Sequence, residues 1–228
     1  TTRTDAAGNL IGRYEGQTPG APALLIGSHL DTVRNAGRYD GTLGVMLGIE
    51  VVAHLAERGE RLPFAIEVIG FGDEEGSRFP ASMLTSRAVA GTLDALPLGA
   101  VDASGATLGD VLRGAGLDPA RYREAAYTPQ QVVAYLEAHI EQGPVLEAAD
   151  MSVGVVTAIA AQYRFKASLH GVAGHARTIP LSLRKEALAA AGKALLASQR
   201  TGDSAPGALV PHVVQPHVGP DARAACPS

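Results

Sequence analysis

The chain has 228 residues, of which 46% are hydrophobic and 18% charged, with a formal net charge of −4. This composition predicts a globular protein rather than a disordered one, and the lack of basic runs argues against nucleic-acid binding as the main role. The single cysteine, Cys226, excludes an internal disulfide framework and fits a reducing compartment. The sequence contains no signal peptide and no apolar run long enough to span a bilayer, so we expect a cytoplasmic protein.

Two apolar segments predict the central strands of an α/β sheet. Residues 64–70 are short, apolar and β-branched, as buried strands are, and residues 23–27 form a second short apolar run. Between them, residues 45–57 have helical apolar spacing, and Arg58 and Gly59 supply a stop signal. We therefore expect a mixed, mostly parallel sheet with flanking helices.

Polar side chains follow both predicted strands. His29 and Asp31 come after the first and share one face of an extended segment, so the carboxylate can accept the far ring proton of a metal-binding histidine. Glu74 and Glu75 come after the second strand, where open α/β sheets place their chemistry. One of these two carboxylates can bind a metal while the other faces a water, the general-base arrangement of metal-assisted hydrolysis. A solvated acidic pair on a surface turn is the alternative.

Two further residues complete a possible ligand set. Asp40 lies just before the helix at 45–57 and either caps that helix or bridges two metal ions. His139 alternates with apolar neighbours and either points into a site or is a satisfied core histidine. Together with His29 and Glu75 they offer nitrogen and oxygen ligands, which suit zinc, manganese, cobalt or nickel better than calcium.

We predict a domain boundary near residue 160. After it, residues 163–170 alternate between polar and apolar side chains, as in a half-exposed strand of an antiparallel sheet. The tail from 201 to 228 is rich in proline and predicted to be irregular. The remaining predicted elements are helices at 83–91, 106–116, 128–138 and 181–199 and a buried strand at 153–159.

Five motifs, in this order, resemble those of the M20-type metallo-amidohydrolases: Gly27-Ser-His-Leu-Asp-Thr32, Arg38-Tyr-Asp-Gly41, Asp73-Glu-Glu-Gly-Ser-Arg-Phe79, Ala138-His-Ile-Glu-Gln-Gly-Pro144 and Gly174-His-Ala-Arg-Thr-Ile-Pro180. The third and fourth are similar to those of the branch of N-carbamoyl-L-amino acid hydrolases, β-ureidopropionases and allantoate amidohydrolases. The resemblance implies a metal-binding catalytic domain at 1–160 and part of a smaller α+β lid and dimerisation domain at 161–200.

The resemblance also implies roles for the ligand set. His29 and His139 each bind one or other of two divalent ions (Zn²⁺, Mn²⁺, Co²⁺ or Ni²⁺), Asp40 bridges the ions, and Glu75 is a further ligand. Glu74 is the general base that takes a proton from the water between the ions and passes it to the leaving nitrogen.

Outside the ligand set, the resemblance implies that His175 of the lid polarises the substrate carbonyl in the site of a partner subunit, so that the protein is a homodimer. Gln142 binds substrate or supports a ligand. The implied reaction hydrolyses the linear carbon–nitrogen amide bond of an N-carbamoyl (ureido) amino acid or allantoate and releases ammonia and carbon dioxide. An M20-type aminoacylase or peptidase and an inactive truncated fragment are the alternatives.

The chain also departs from the family pattern. Family members are longer, and the histidine that supplies their fifth metal ligand has no clear counterpart here, although His212 and His217 in the tail are candidates. Arg177 and Ile179 stand where the family usually has glycine and threonine. We therefore expect a truncated chain that lacks the return to the catalytic domain.

Overall fold

A computed structural model describes residues 1–159, 167–172, 174–175 and 177–204, with side chains described as far as residue 201. The chain divides into two compact units, Thr1–Gly154 and Val155–Ser228. Each unit is considered by itself below. In the described residues, no helix is both long enough and apolar enough to cross a membrane.

Within the described residues, five strands form one sheet in the order β1-β2-β4-β3-β5. They are β1 (Thr2–Thr4), β2 (Leu10–Tyr14), β3 (Ala23–His29), β4 (Ala65–Phe71) and β5 (Val132–Leu136). β3 runs parallel to both β4 and β5, whereas β2 pairs antiparallel with β1 and β4. The predicted mixed α/β sheet is confirmed, and His29 and the Glu74–Glu75 pair lie at the carboxyl ends of its parallel strands β3 and β4.

The helices connect and flank this sheet. They are α1 (Thr42–Glu57), α2 (Leu84–Val89), α3 (Leu108–Gly114), α4 (Val145–Ala148) and α5 (Ala187–Ser204), with 3₁₀ turns at Pro119–Ala125 and Leu181–Leu183. α1 is the crossover between the parallel strands β3 and β4, as a βαβ unit requires. This connection brings the start of α1 to the carboxyl end of β3, next to His29.

Every residue of the central strand β4 is buried, which explains its apolar run without alternation. Ile66 and Val68 pack with Val45 of α1 on one face of the sheet. Ile69 and Phe71 belong to a separate core cluster on the other face. The sheet is thus covered on both sides, and the ends of its strands are held by packing rather than by loop conformation.

One charged side chain lies inside this core. Glu67 of β4 is 3% exposed and accepts hydrogen bonds from both terminal nitrogens of Arg3 at 3.1 Å, from Arg13 and from the hydroxyl of Tyr127. Burial by itself raises the pKa of Glu67, but the bonds from Arg3, Tyr127 and Arg13 outweigh it and leave that pKa below its ordinary value. The network joins β1 and β2 to the centre of the sheet.

The prediction of a helix at 128–138 is wrong, because residues 132–136 form the strand β5. Thr128 and Gln131 close a turn in which the Thr128 amide donates to Gln131 Oε1 and the Gln131 amide donates to the Thr128 carbonyl. The following Val-Val-Ala-Tyr-Leu segment then pairs with β3. Strand pairing and β-branched propensity outweigh the threonine and proline start signals.

The prediction of a buried strand at 153–159 is also wrong. The segment is in no strand, and its valines are exposed, with Val155 at 91%. Apolar β-branched residues form a strand only where another strand receives their backbone groups, and none of the described strands lies beside this segment.

Two predictions in the second unit are met only in part. The helix predicted at 181–199 begins later, as α5, after a 3₁₀ turn at Leu181–Leu183 and the extended residue Arg184, and it continues through Ser204 into the segment predicted as irregular tail. Of the strand predicted at 163–170, residues 167–170 are not in a strand, and residues 163–166 lie outside the described residues. Residues 205–228, including His212 and His217, lie outside them as well.

Candidate metal centre

His29 is the last residue of β3 and is 4% exposed. Its ring Nδ1 lies 2.6 Å from the backbone carbonyl oxygen of Asp31. Because a carbonyl can only accept, this contact requires the proton on Nδ1 and leaves the Nε2 lone pair of the neutral ring free. Nε2 is the nitrogen that faces the other predicted ligands.

His139 follows β5 and repeats the same arrangement. Its Nδ1 lies 2.8 Å from the carbonyl oxygen of Ile140, so its Nε2 is also the unprotonated nitrogen. The Nε2 atoms of His29 and His139 are 3.1 Å apart. Two lone pairs at this distance repel unless a cation lies between them, and two nitrogens bound to one tetrahedral zinc ion are separated by about 3.3 Å. The two Nε2 atoms are therefore spaced as two ligands of a divalent ion would be, and the core-histidine alternative for His139 is wrong, because its ring is partly exposed.

Asp40 is the carboxylate that faces both histidines. It is 3% exposed, and its Oδ1 lies 3.4 Å from His139 Nε2 and 3.8 Å from His29 Nε2. The same oxygen accepts a hydrogen bond from Gln142 Nε2 at 2.9 Å. The helix-cap alternative for Asp40 is wrong, because the residue before α1 is Gly41 and no side chain caps that helix.

Gly41 and Gly44 allow α1 to begin next to the histidines, and sequence reasoning missed both. Gly41 has φ +70°, and a Cβ there would lie 2.5 Å from the His29 carbonyl oxygen and closer still to ring atoms of His29. A Cβ on Gly44 would collide with the Ala138 carbonyl oxygen and lie 2.7 Å from Ser28 Cβ. The signal was present in the Asp-Gly-Thr-Leu-Gly run at residues 40–44, which spans the start of α1, since glycine twice within four residues at a helix start marks close backbone approach.

The acidic pair follows β4 on a turn that Asp31 holds in place. The backbone N–H groups of Glu74 and Glu75 donate to the two carboxylate oxygens of Asp31, each at 3.1 Å. The prediction that the Asp31 carboxylate fixes the His29 ring is wrong, because the backbone carbonyl of Asp31 accepts the ring proton instead. Asp31 thus orients both halves of the site, the ring through its main chain and the acids through its side chain.

Both acids lie close to His29. One ligand atom from each of His29, Glu74 and Glu75 falls within 4.8 Å of the others, and the same is true of His29, Asp40 and His139. The two groups share His29, so the acidic turn and the two-histidine cluster form one site. The acidic pair therefore lies beside His29 and is only partly exposed, which favours the functional interpretation over a solvated acidic pair on a surface turn.

The electrostatics of the site distinguish Glu74. Burial raises its pKa, and the nearby carboxylates of Glu75, Asp31 and Glu137 add to this against the opposing effect of His29. A carboxylate whose pKa is raised is a stronger base, which suits proton transfer near neutral pH. Glu137 is a further acid of this site that sequence reasoning missed, although its spacing of two from His139 indicated a shared face.

His175 lies in the second unit. It is exposed, and its Nδ1 accepts a hydrogen bond from the backbone N–H of Arg177 at 3.2 Å. Its predicted contact with substrate remains a prediction.

Residues 25–215 match the Peptidase family M20/M25/M40. The chain is 51% identical over 189 residues to an N-carbamoyl-L-amino acid amidohydrolase of Geobacillus stearothermophilus, covering 83% of this chain and 46% of that protein. It is 46% identical over 200 residues to a probable allantoate deiminase of Oryza sativa subsp. japonica, covering 86% of this chain and 41% of that protein.

Among solved structures, a hydantoinase/carbamoylase family amidase from Burkholderia ambifaria superposes with a TM-score of 0.71 at 38% identity, over 90% of this chain and 50% of that one. The chain thus spans about half the length of the relatives it matches. The family match covers most of the chain, including every residue of the site described above, and it agrees with the five motifs read from the sequence. The chain belongs to the peptidase family M20/M25/M40.

Proposed function

We propose that the chain carries the metal centre of a hydrolase that cleaves the linear carbon–nitrogen bond of an N-carbamoyl (ureido) amino acid or of allantoate. The observation that carries the proposal is the convergence of His29 Nε2, His139 Nε2 and Asp40 Oδ1 within 3.8 Å. The names of the two similar proteins, an N-carbamoyl-L-amino acid amidohydrolase and a probable allantoate deiminase, support the substrate class.

The donor set fits divalent transition metals. Two imidazole nitrogens with carboxylates match Zn²⁺ and also accept Mn²⁺, Co²⁺ or Ni²⁺. In the proposal His29, His139, Asp40 and Glu75 would hold two such ions. Bound there, the ions would polarise the substrate carbonyl and lower the pKa of water.

Glu74 is the proton carrier of the proposed reaction. It takes a proton from the attacking water and delivers it to the nitrogen of the amino compound as the carbon–nitrogen bond breaks. The released carbamate half gives carbon dioxide and ammonia, so one water molecule and one ureido substrate yield one amine, one carbon dioxide and one ammonia. Asp31 keeps Glu74 in position by accepting its backbone N–H.

In the proposal His175 of one subunit donates a hydrogen bond to the substrate carbonyl oxygen in the site of a partner subunit and stabilises the tetrahedral oxyanion. The support for this role is the Gly174-to-Pro180 motif. The proposal includes a homodimer formed through residues 161–200, which sedimentation or light scattering of the full chain tests.

The neighbouring acids provide the test of the mechanism. Glu74→Gln should keep the bound metal but lower the rate of ammonia release from N-carbamoyl amino acids or allantoate by about 10²-fold or more. Glu75→Gln should lose metal, because it removes a ligand. Metal content by elemental analysis and ammonia release are measured on the same metal-loaded samples.

Three results would go against the proposal. Unchanged turnover in Glu74→Gln would remove its general base. Cleavage of N-acyl amino acids without ammonia release from ureido substrates would favour an aminoacylase. Metal binding with no turnover of either substrate class would identify an inactive fragment.

A further inference from the structure

His139 lies beyond the end of the strand that carries it to the site. The parallel pairing of β5 with β3 ends at Ile26 and Leu136, three residues before His139. β5 is also the edge strand of the sheet, so no described strand supports it from the other side. Ladder hydrogen bonds therefore stop short of the residue whose Nε2 must come within 3.1 Å of His29 Nε2.

Glu137 supplies the contacts that continue the pairing. One of its carboxylate oxygens accepts from Ser28 Oγ at 2.8 Å, and the other accepts from the Tyr135 hydroxyl at 2.8 Å. Ser28 is completely buried and directly precedes His29. The Tyr135 hydroxyl also lies 3.2 Å from the Gly27 carbonyl oxygen. One carboxylate thus joins the end of β5 to the two residues that lead into His29.

We propose that Glu137 is a positioning residue, which fixes His139 against His29 through its bonds to Ser28 and Tyr135 and thereby sets the affinity of the metal centre. The inference rests on the proposed function, because it concerns the ligands of the same centre. Glu137 precedes His139 by two residues, so fixing the Glu137 carboxylate limits where the backbone can place the His139 ring. Groups that orient metal ligands typically change metal affinity by about 10- to 100-fold when they are removed.

The hydrogen-bonding role of Glu137 can be separated from its charge. Glutamine reproduces both bonds, because its amide oxygen accepts from Ser28 while its amide nitrogen donates to the Tyr135 oxygen. The Tyr135 proton then turns to the Gly27 carbonyl, which is already near. Alanine removes both bonds. A positioning residue therefore predicts that glutamine rescues what alanine loses, whereas a charge or direct-ligand role predicts that both variants fail.

The test is a calorimetric titration of the full chain with Zn²⁺. Glu137→Ala should bind Zn²⁺ about 10- to 100-fold more weakly than wild type, Ser28→Ala should show a smaller loss, and Glu137→Gln should stay within about threefold of wild type. Glu57→Ala is the charge control. It removes an exposed carboxylate at the far end of α1, about 20 Å from the site, and should bind as wild type does.

A second readout needs no metal. The ring chemical shifts of His139 in the metal-free chain should report one fixed ring environment in wild type and Glu137→Gln, and an averaged one in Glu137→Ala. Ser28→Ala, which removes a single bond, serves for both readouts if Glu137→Ala unfolds in a thermal melt.

The outcomes separate this inference from the proposed function. Wild-type affinity and wild-type ring shifts in Glu137→Ala would overturn the positioning role and leave the metal centre standing. Equal losses in Glu137→Gln and Glu137→Ala would overturn it as well, since charge or direct ligation would then explain them. If the wild-type chain binds no Zn²⁺, the centre of the proposed function fails, and the metal-free ring shifts alone decide whether Glu137 positions His139.

Discussion

Replacing Gly41 with alanine should displace His29 and weaken metal binding while the chain stays folded. The new Cβ would stand 2.5 Å from the His29 carbonyl oxygen and closer to its ring, where ordinary contact begins at 3.4 Å, so the histidine must move by about 1 Å. Metal–nitrogen bonds of about 2.0–2.1 Å do not tolerate such a shift. We expect Zn²⁺ affinity to fall at least about tenfold, equivalent to about 1.4 kcal/mol.

The backbone cost of this substitution has a matched control. Gly59 follows α1 at φ +65°, close to the +70° of Gly41, and a Cβ at Gly59 meets nothing within 4 Å. Gly59→Ala should lose about 1–2 kcal/mol for a residue with positive φ, a fall in Tm of about 2–8 °C. Gly41→Ala should lose more, because its φ +70° and ψ −55° lie outside the left-handed helical region and its Cβ collides with His29. Only Gly41→Ala should lose metal in calorimetric titration. Equal metal affinities in the two variants would show that a Cβ at Gly41 does not displace His29 from its metal-binding position.

Three further outcomes follow from the packing around the site. Glu67→Gln should lower the free energy of unfolding by about 2 kcal/mol at pH 7, because it removes the charge that pairs with Arg3 and Arg13. The loss is smaller than for a fully buried ion pair, because Arg3 is partly exposed. The pKa of Glu67 is lowered in the fold, so its contribution to the free energy of unfolding is complete above the unfolded pKa of about 4.3 and is lost as the pH falls through the folded pKa. In urea melts from pH 7 to pH 3, the free energy of unfolding should therefore decline less in the variant than in wild type. Parallel declines would contradict this. Asp31→Ala should raise the hydrogen-exchange rates of the Glu74 and Glu75 amides by roughly tenfold, because each amide loses a charge-assisted hydrogen bond of about 1.5 kcal/mol. Unchanged exchange rates would show that the Asp31 carboxylate does not hold the turn. Gly44→Ala should destabilise the chain by about 1–3 kcal/mol, because its Cβ collides with Ser28 and Ala138. Gly192→Ala, where a Cβ meets nothing within 4 Å, should instead stabilise α5 by up to about 1 kcal/mol. Thermal melts in which both substitutions change Tm in the same direction would contradict this.

The sequence predicted the strand ends at which the site lies, because buried parallel strands have a strong local signature. The two apolar runs, at 23–27 and 64–70, lie in the central strands β3 and β4. His29 and the acidic pair follow at the carboxyl ends of these strands. The convergence of His139 was not predictable from spacing. It depends on β5 pairing beside β3, a contact between residues more than a hundred positions apart.

The errors have the same physical origin. The threonine and proline at 128–129 are genuine helix-start signals, but the tertiary pairing of β5 overrides them. Residues 153–159 have strand propensity without a strand beside them among the described residues. The role of the Asp31 side chain was misassigned because local spacing placed it beside His29, whereas its real partners are the backbone groups of a turn forty residues later.

The most direct test of the metal centre is a Co²⁺ titration of the full chain followed by its visible absorption, compared with His139→Ala and Asp40→Ala. We expect a saturable d–d band in the wild-type chain, and a Co²⁺ affinity that falls by about tenfold or more in each variant, since each removes one atom of the cluster within 3.8 Å. Absence of the band in the wild-type chain, or equal affinities in all three proteins, would contradict it.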